Sequence, residues 1–154
     1  MKTFANLIED VIDDIEEIFP WDLEEKLEQN PSLTLLDIRE PYEFDPMHIK
    51  NSLNVPRGVL EAACDWGFEE TVPDIACCRE REVIIICRSG NRSVLAAYTM
   101  QQMGYKNVYS LKTGLTGWND YELPLQNSEG EVVDLEEGGL FFDPKVTPEQ
   151  MGPG

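Results

Sequence analysis

The chain lacks what a membrane span, a disulfide scaffold or a nucleic-acid surface would need. No run of about 18 apolar residues occurs in its 154 residues, so no membrane-crossing helix is expected. Four cysteines are too few to staple a domain of this length, which favours a reducing compartment. Bases are scarce: 12 Lys and Arg stand against 30 Asp and Glu, a net charge of −18. Without a basic stripe to neutralise phosphates, nucleic acid is not expected as a partner. The amino-terminal segment carries one lysine and then many acids, unlike a secretory signal, so a cytoplasmic setting is expected. Internal repeats are absent.

The acid that is present is unevenly placed. Residues 1–28 hold ten acids against two lysines, and residues 126–154 hold seven against one. The middle, 29–125, is only mildly acidic, with thirteen acids against nine bases. Such a balance favours solubility and a basic protein partner over a polyanion. The length suits one domain with a core of its own plus short extensions.

Hydrophobic periodicity divides the chain. Phe4, Leu7, Ile8, Val11, Ile12, Ile15, Ile18 and Phe19 recur at three- and four-residue steps between acids, predicting an acidic amphipathic helix over 1–19. Its apolar stripe either packs on its own domain or offers a face to a partner. Trp21 to Glu28 reads as a second helix before Asn30-Pro31. Residues 33–39 and 83–87 read as buried strands, 53–55 as a short one and 107–111 as another. A helix follows from Val94 to Met103, stopped by Gly104. Strands alternating with helices predict an α/β layer fold with a parallel sheet. In such sheets ligands sit at the carboxyl ends of the strands. Beyond Pro124 the pattern fades into an acidic extension, 126–154, expected to be partly mobile, although Leu140-Phe141-Phe142 can fold back onto the domain.

One strand end carries a candidate nucleophile. Cys87-Arg88-Ser89-Gly90-Asn91-Arg92-Ser93 lies between the Val83–Ile86 strand and the following helix. The first turn of that helix has unpaired N–H donors and a partial positive charge, and two arginines add full charge. A thiolate, the reactive form of cysteine, is favoured there. The amides of so short a loop can converge on one atom beyond the cysteine sulfur, and an added sulfur held as a persulfide would be such an anion.

The chain resembles the single-domain rhodanese-like sulfurtransferases over roughly residues 18–124. Three blocks carry the likeness: Asp37-Ile38-Arg39-Glu40-Pro41-Tyr42-Glu43-Phe44 with His48-Ile49 and Asn54-Val55-Pro56; the Cys87–Ser93 loop; and Thr113-Gly114 with Gly117-Trp118. The resemblance implies a three-layer fold with a central, mainly parallel five-stranded sheet flanked by helices. The domain would span 20–125. It implies that Cys87 takes sulfane sulfur from thiosulfate or another donor and passes it to cyanide, a thiol or a protein cysteine, with no cofactor and no metal. Two steps through one covalent intermediate mean ping-pong kinetics. Arg88 and Arg92 would bind the anionic donor or, alternatively, shape the loop through salt bridges. Ser89 and Ser93 would hydrogen bond to the outer sulfur, unless Ser93 caps the helix. Gly90 permits a bend, and Asn91 completes the cradle. A carrier or docking module that holds the persulfide for a protein partner is the alternative function; a catalytically silent binding domain fits less well with an intact cysteine and two arginines. Tyrosine and dual-specificity phosphatases place five residues between cysteine and arginine; here four intervene.

Other residues have two readings each. His48, the sole histidine, is a general base by type and a structural residue by its place in the family block. Asp37, Arg39 and Glu43 read as an ion-pair set, with Asp37 also able to face the pocket. Arg57 follows a strand and either lines the pocket mouth or is solvated. Met47, Lys50 and Ser52 depart from the small residues usual in the family, leaving that turn's geometry open. Cys77 and Cys78 are vicinal and Cys64 lies thirteen residues before Cys77, a spacing unsuited to zinc. All three read as small buried side chains, with a sulfur relay open to any that reaches Cys87. Trp118 reads as core.

Overall fold

A computed structural model describes residues 1–153. Five strands form one sheet: β1 (Glu16–Ile18), β2 (Thr34–Asp37), β3 (Leu53–Asn54), β4 (Glu82–Ile86) and β5 (Asn107–Leu111). Their order is β1-β5-β4-β2-β3, and every pairing is parallel. The helices are α1 (Phe4–Glu9), α2 (Pro20–Gln29), α3 (Pro41–Phe44), α4 (Leu60–Ala63), α5 (Pro73–Ala76), α6 (Arg92–Gln102), α7 (Gly114–Asp120) and α8 (Leu135–Phe142). The expected α/β fold with a parallel five-stranded sheet is therefore present.

A parallel sheet covered on both faces needs strands that are apolar on both faces, and β4 supplies this. Val83 and Ile85 enter one core cluster with Val94, Ala97 and Met100 of α6, whereas Ile84 and Ile86 enter the other with Leu23, Leu115 and Trp118. Trp118 is buried as expected, and its indole N–H donates to the Pro124 carbonyl at 3.0 Å.

The amino-terminal segment departs from the expected long helix. Only α1 is α-helical; a 3-10 turn, Ile12–Asp14, and strand β1 follow it. Branched residues at 11, 12, 15 and 18 favour extended backbone, and β5 would otherwise be an open edge. β1 pairs there, Glu16 beside Tyr109 and Ile18 beside Leu111. Ile15 and Ile18 are buried, and Ile8, Val11 and Ile12 lie against the α6-side core. Most of the apolar stripe is thus used within its own domain, although Phe4 and Leu7 stay exposed.

The carboxyl-terminal region is more structured than its composition indicates. Gln126 exchanges backbone hydrogen bonds with His48 at 2.8 and 2.9 Å. α8 starts at Asp134, whose carboxylate accepts from the Glu136 N–H at 2.8 Å. It packs against α7 closely enough that a Cβ on Gly138 would come within 2.5 Å of Asn119 Oδ1, and it buries Phe142.

At the end of β2 a fully buried ion pair ties down the following turn. Arg39 donates to both Asp37 carboxylate oxygens at 2.9–3.2 Å, and to the carbonyls of Glu43 at 3.1 Å and Met47 at 2.8 Å. The pair, rather than a substrate pocket, accounts for Asp37. In the turn that departs from the family pattern, Asn51 takes a left-handed backbone (φ 66°) and Ser52 Oγ donates to the Ile49 carbonyl. Removing one member of the Asp37–Arg39 pair would leave the other charge buried. Arg39→Ala is therefore expected to lower the unfolding free energy by about 3–5 kcal/mol in urea titrations. A loss below about 1 kcal/mol would contradict this account of the pair.

Candidate active site

Cys87 follows β4 at the carboxyl edge of the sheet, where the chain must turn into α6. Two backbone interactions orient that turn. The Cys87 carbonyl accepts from the Leu115 N–H at 3.0 Å. The Arg88 carbonyl accepts from the Thr116 N–H at 2.9 Å and the Thr116 hydroxyl at 3.0 Å. Both donors belong to the first turn of α7. With these carbonyls drawn outward, two N–H groups face the sulfur. The Gly90 N–H donates to Cys87 Sγ at 3.1 Å and the Ser93 N–H at 3.4 Å.

Glycine is required on both sides of this junction. Gly90 has φ 89°, and a Cβ there would lie 2.9 Å from the Thr113 nitrogen. Gly114 has φ 58°, and its Cβ would meet the Arg88 carbonyl oxygen at 2.5 Å. The Thr113-Gly114 element is thus the seat on which the cysteine loop rests.

Side chains complete the surroundings of the sulfur. Ser93 Oγ lies 3.3 Å from Cys87 Sγ and 2.7 Å from Ser110 Oγ. The helix-cap alternative for Ser93 is not realised, since α6 has no side-chain cap hydrogen bond. Cys87, Ser93 and Ser110 are all fully buried. Ser89 and Asn91 are exposed, and neither side chain hydrogen bonds to the sulfur.

The two loop arginines have different surroundings. Arg92 donates to both carboxylate oxygens of Glu43 at 3.0 and 2.9 Å. The Glu43 hydrogen bond raises the Arg92 pKa further, with its charge and that of Cys87 adding to the effect. Burial by itself would push the Glu43 carboxyl up, but hydrogen bonds from Arg92 and the Glu40 N–H outweigh it and hold Glu43 below its ordinary 4.5. Arg88 is half-buried, and its guanidinium has no hydrogen bond or ion pair among the described residues.

Several other candidates lie away from the sulfur. Arg57 pairs with Glu61 at 2.9 Å and donates to Thr99 at 3.2 Å, without a bond to the loop. His48 is buried, stacks on Phe44 and places Nδ1 2.7 Å from the Phe44 carbonyl oxygen, a structural arrangement. Cys64 and Cys78 are buried as expected, but Cys77 is exposed, because it ends the one-turn helix α5 on its outer side. Cys77 and Cys78 precede β4 whereas Cys87 follows it, so the strand's length, roughly 16 Å at 3.3 Å per residue, separates them. A direct relay from Cys77 or Cys78 within one molecule does not fit that separation. Two cavities, of about 570 and 240 Å³, include no residue of the 87–93 loop. The larger is lined by Leu27, Pro31 and Ile49, which precede β2 and β3, and so lies towards the opposite edge of the sheet.

Ser110 and the Glu43–Arg92 clamp are the features that pattern reading missed. A signal for Ser110 exists: on β5 it follows Val108 by two residues, so the strand's period puts a hydroxyl where an apolar side chain belongs.

The family described as Rhodanese-like domain matches residues 20–121. A protein named "Sulfurtransferase" from Allochromatium vinosum is 30% identical over 116 residues, 75% of this chain and 99% of that protein. "Putative sulfur carrier protein YrkF" of Bacillus subtilis is 33% identical over 94 residues, 61% of this chain; the match spans 45% of that relative's length. Among solved structures, a protein of unknown function from Rhodopseudomonas palustris, described as a possible tyrosine phosphatase, superposes with a TM-score of 0.74 at 27% identity, covering 82% of this chain and 96% of that one.

The folded state holds Glu43 ionised below 4.5, so its contribution to stability is complete above that value and is lost as acid protonates it. Glu43→Gln is expected to melt below the parent at about pH 7, with the gap closing towards about pH 3. A gap independent of pH would contradict the clamp.

Proposed function

The chain belongs to the rhodanese-like domain family, and from that premise we propose that it moves sulfane sulfur through a persulfide on Cys87. The observation that carries this reading is the meeting of two backbone N–H donors at one buried sulfur, whose thiol in turn donates to the Ser93 hydroxyl 3.3 Å away. These donors suit an anion. When thiosulfate is the donor, the Cys87 thiolate attacks its outer sulfur. The new S–S bond takes the electron pair from sulfur, the donor's S–S bond breaks, and sulfite leaves with that bond's electrons. In the second step an acceptor thiolate attacks the outer sulfur, and Cys87 leaves as thiolate. No net proton is required, in keeping with the absence of any histidine at the loop. Fixed donors that hold charge at Sγ stabilise it both as attacking and as leaving group.

On this reading Arg88, without a side-chain partner among the described residues, attracts the anionic donor, while Arg92 is committed to Glu43 and shapes the loop. The exposed Ser89 and Asn91 form the rim over which donor and acceptor arrive. A cytoplasmic setting fits the four unpaired cysteines. The complete burial of Cys87 favours the second reading, a carrier that protects a bound sulfur and releases it to a protein acceptor.

Intact mass after exposure to thiosulfate tests the central claim: the parent gains one sulfur atom and Cys87→Ser gains none. Absence of loading in the parent would overturn it. Arg88→Ala is expected to raise KM for thiosulfate about tenfold without changing the melting temperature, consistent with loss of one charge-assisted contact. Arg92→Ala is expected to lower the melting temperature. Fast turnover with cyanide or small thiols supports the enzyme; stable loading with turnover only on a protein acceptor supports the carrier.

A further inference from the structure

We propose that Ser110 is a positioning residue that aims the Ser93 hydroxyl at the Cys87 sulfur. The inference rests on Cys87 being the sulfur-bearing nucleophile and adds a residue outside the loop to its support.

Ser110 lies on β5, in register with Ile85 of β4, two residues before Cys87. The side chains on that face of the two strands are Val83, Ile85, Cys87, Val108 and Ser110, and apart from Cys87 the first four are plain hydrocarbon. Ser110 is fully buried, and among the described residues its hydroxyl has one hydrogen-bond partner, Ser93 Oγ at 2.7 Å. Burying a hydroxyl in such a place costs stability unless it is hydrogen-bonded, so Ser110 is held to its bond with Ser93.

The three atoms form a hydrogen-bonded chain: the Cys87 thiol donates to Ser93 Oγ at 3.3 Å, and Ser93 Oγ lies 2.7 Å from Ser110 Oγ. Two gaps separate them. When Cys87 is a thiolate, or carries an anionic persulfide, two hydroxyl hydrogens fill two gaps, Ser110 donating to Ser93 and Ser93 to the sulfur. When Cys87 is a thiol, three hydrogens compete for the same gaps and one is left without an acceptor. While the Ser110 hydrogen occupies the outer gap, Ser93 can give its own only to sulfur. A hydroxyl that is itself accepting a hydrogen bond is also a stronger donor, most of all to an anion. Ser110 acts on the sulfur through Ser93 and never touches substrate.

The test is the pH profile of Cys87 alkylation by iodoacetamide, followed at the Cys87 peptide by mass spectrometry so that exposed Cys77 does not contribute. Ser110→Ala is expected to slow alkylation about threefold at neutral pH and to move the profile's midpoint up by about half a unit, the scale of one cooperative hydrogen bond. In a Ser93→Ala background the same substitution is expected to have no further effect. An unchanged profile for Ser110→Ala, or an equal loss in the Ser93→Ala background, would overturn the proposal. Should Ser110→Ala not fold, Ser110→Thr and Ser110→Val supply a pair of equal shape. The proposal requires the parental midpoint in Thr and the shifted one in Val, and identical midpoints would refute it. Sulfur loading by the parent decides separately whether Cys87 carries a persulfide, so the two claims can fail independently.

Discussion

The site depends on where two carbonyl groups point. A loop of five residues between a strand and a helix has as many carbonyls as N–H groups, and only one kind can face the cysteine sulfur. The first turn of α7 takes the Cys87 and Arg88 carbonyls at 2.9–3.0 Å, which turns the Gly90 and Ser93 amides inward. Both partners gain: α7 satisfies N–H groups that a helix start leaves open, and the loop acquires a donor-rich interior. Gly90 and Gly114 let the two backbones approach this closely, so the chemistry of the loop is set partly by residues more than twenty positions later.

Charge is organised on the same principle of commitment. Although the chain is strongly acidic overall, arginines at the site are assigned one by one to particular oxygens. Arg39 is used inside the domain by Asp37 and two turn carbonyls. Arg92 is used by Glu43, which stands on the turn that Arg39 holds. The chain of contacts Asp37–Arg39–Glu43–Arg92 thereby links the end of β2 to the start of α6. Of the two loop arginines, Arg88 has no side-chain partner among the described residues, and on the proposed reading it is where an incoming anion gains most.

Much of this was legible in the sequence, for physical reasons that differ by element. The run Val83–Ile86 can only be a strand covered on both faces, and a cysteine directly after it must lie at the ligand-binding edge. Gly90 was readable from the bend so short a loop needs, whereas Thr113-Gly114 and Gly117-Trp118 were readable only through the family resemblance. The first nineteen residues misled because their apolar spacing satisfies a helix, while the decision belonged to β5, whose free edge took residues 16–18 as a strand. Arg92's partner was hidden because Glu43 lies 49 positions away. Ser110 was hidden because a serine in a strand carries no signal until its register beside Ile85 shows that its hydroxyl faces hydrocarbon.

On the proposed reading, the complete burial of Cys87 constrains how an acceptor is recognised. An enzyme that selects a small substrate by enclosing it needs a concave site lined by several side chains. In the cysteine loop Ser89 and Asn91 are exposed and Arg88 is half-exposed. On the proposed reading, discrimination therefore falls on the outer surface, where only one sulfur atom has to project far enough to be taken. A protein acceptor can supply many contacts on such a surface, whereas a small thiol supplies few. The same fold can thus serve a general transferase or a dedicated carrier, with the residues around the rim rather than the sulfur's own surroundings deciding between them.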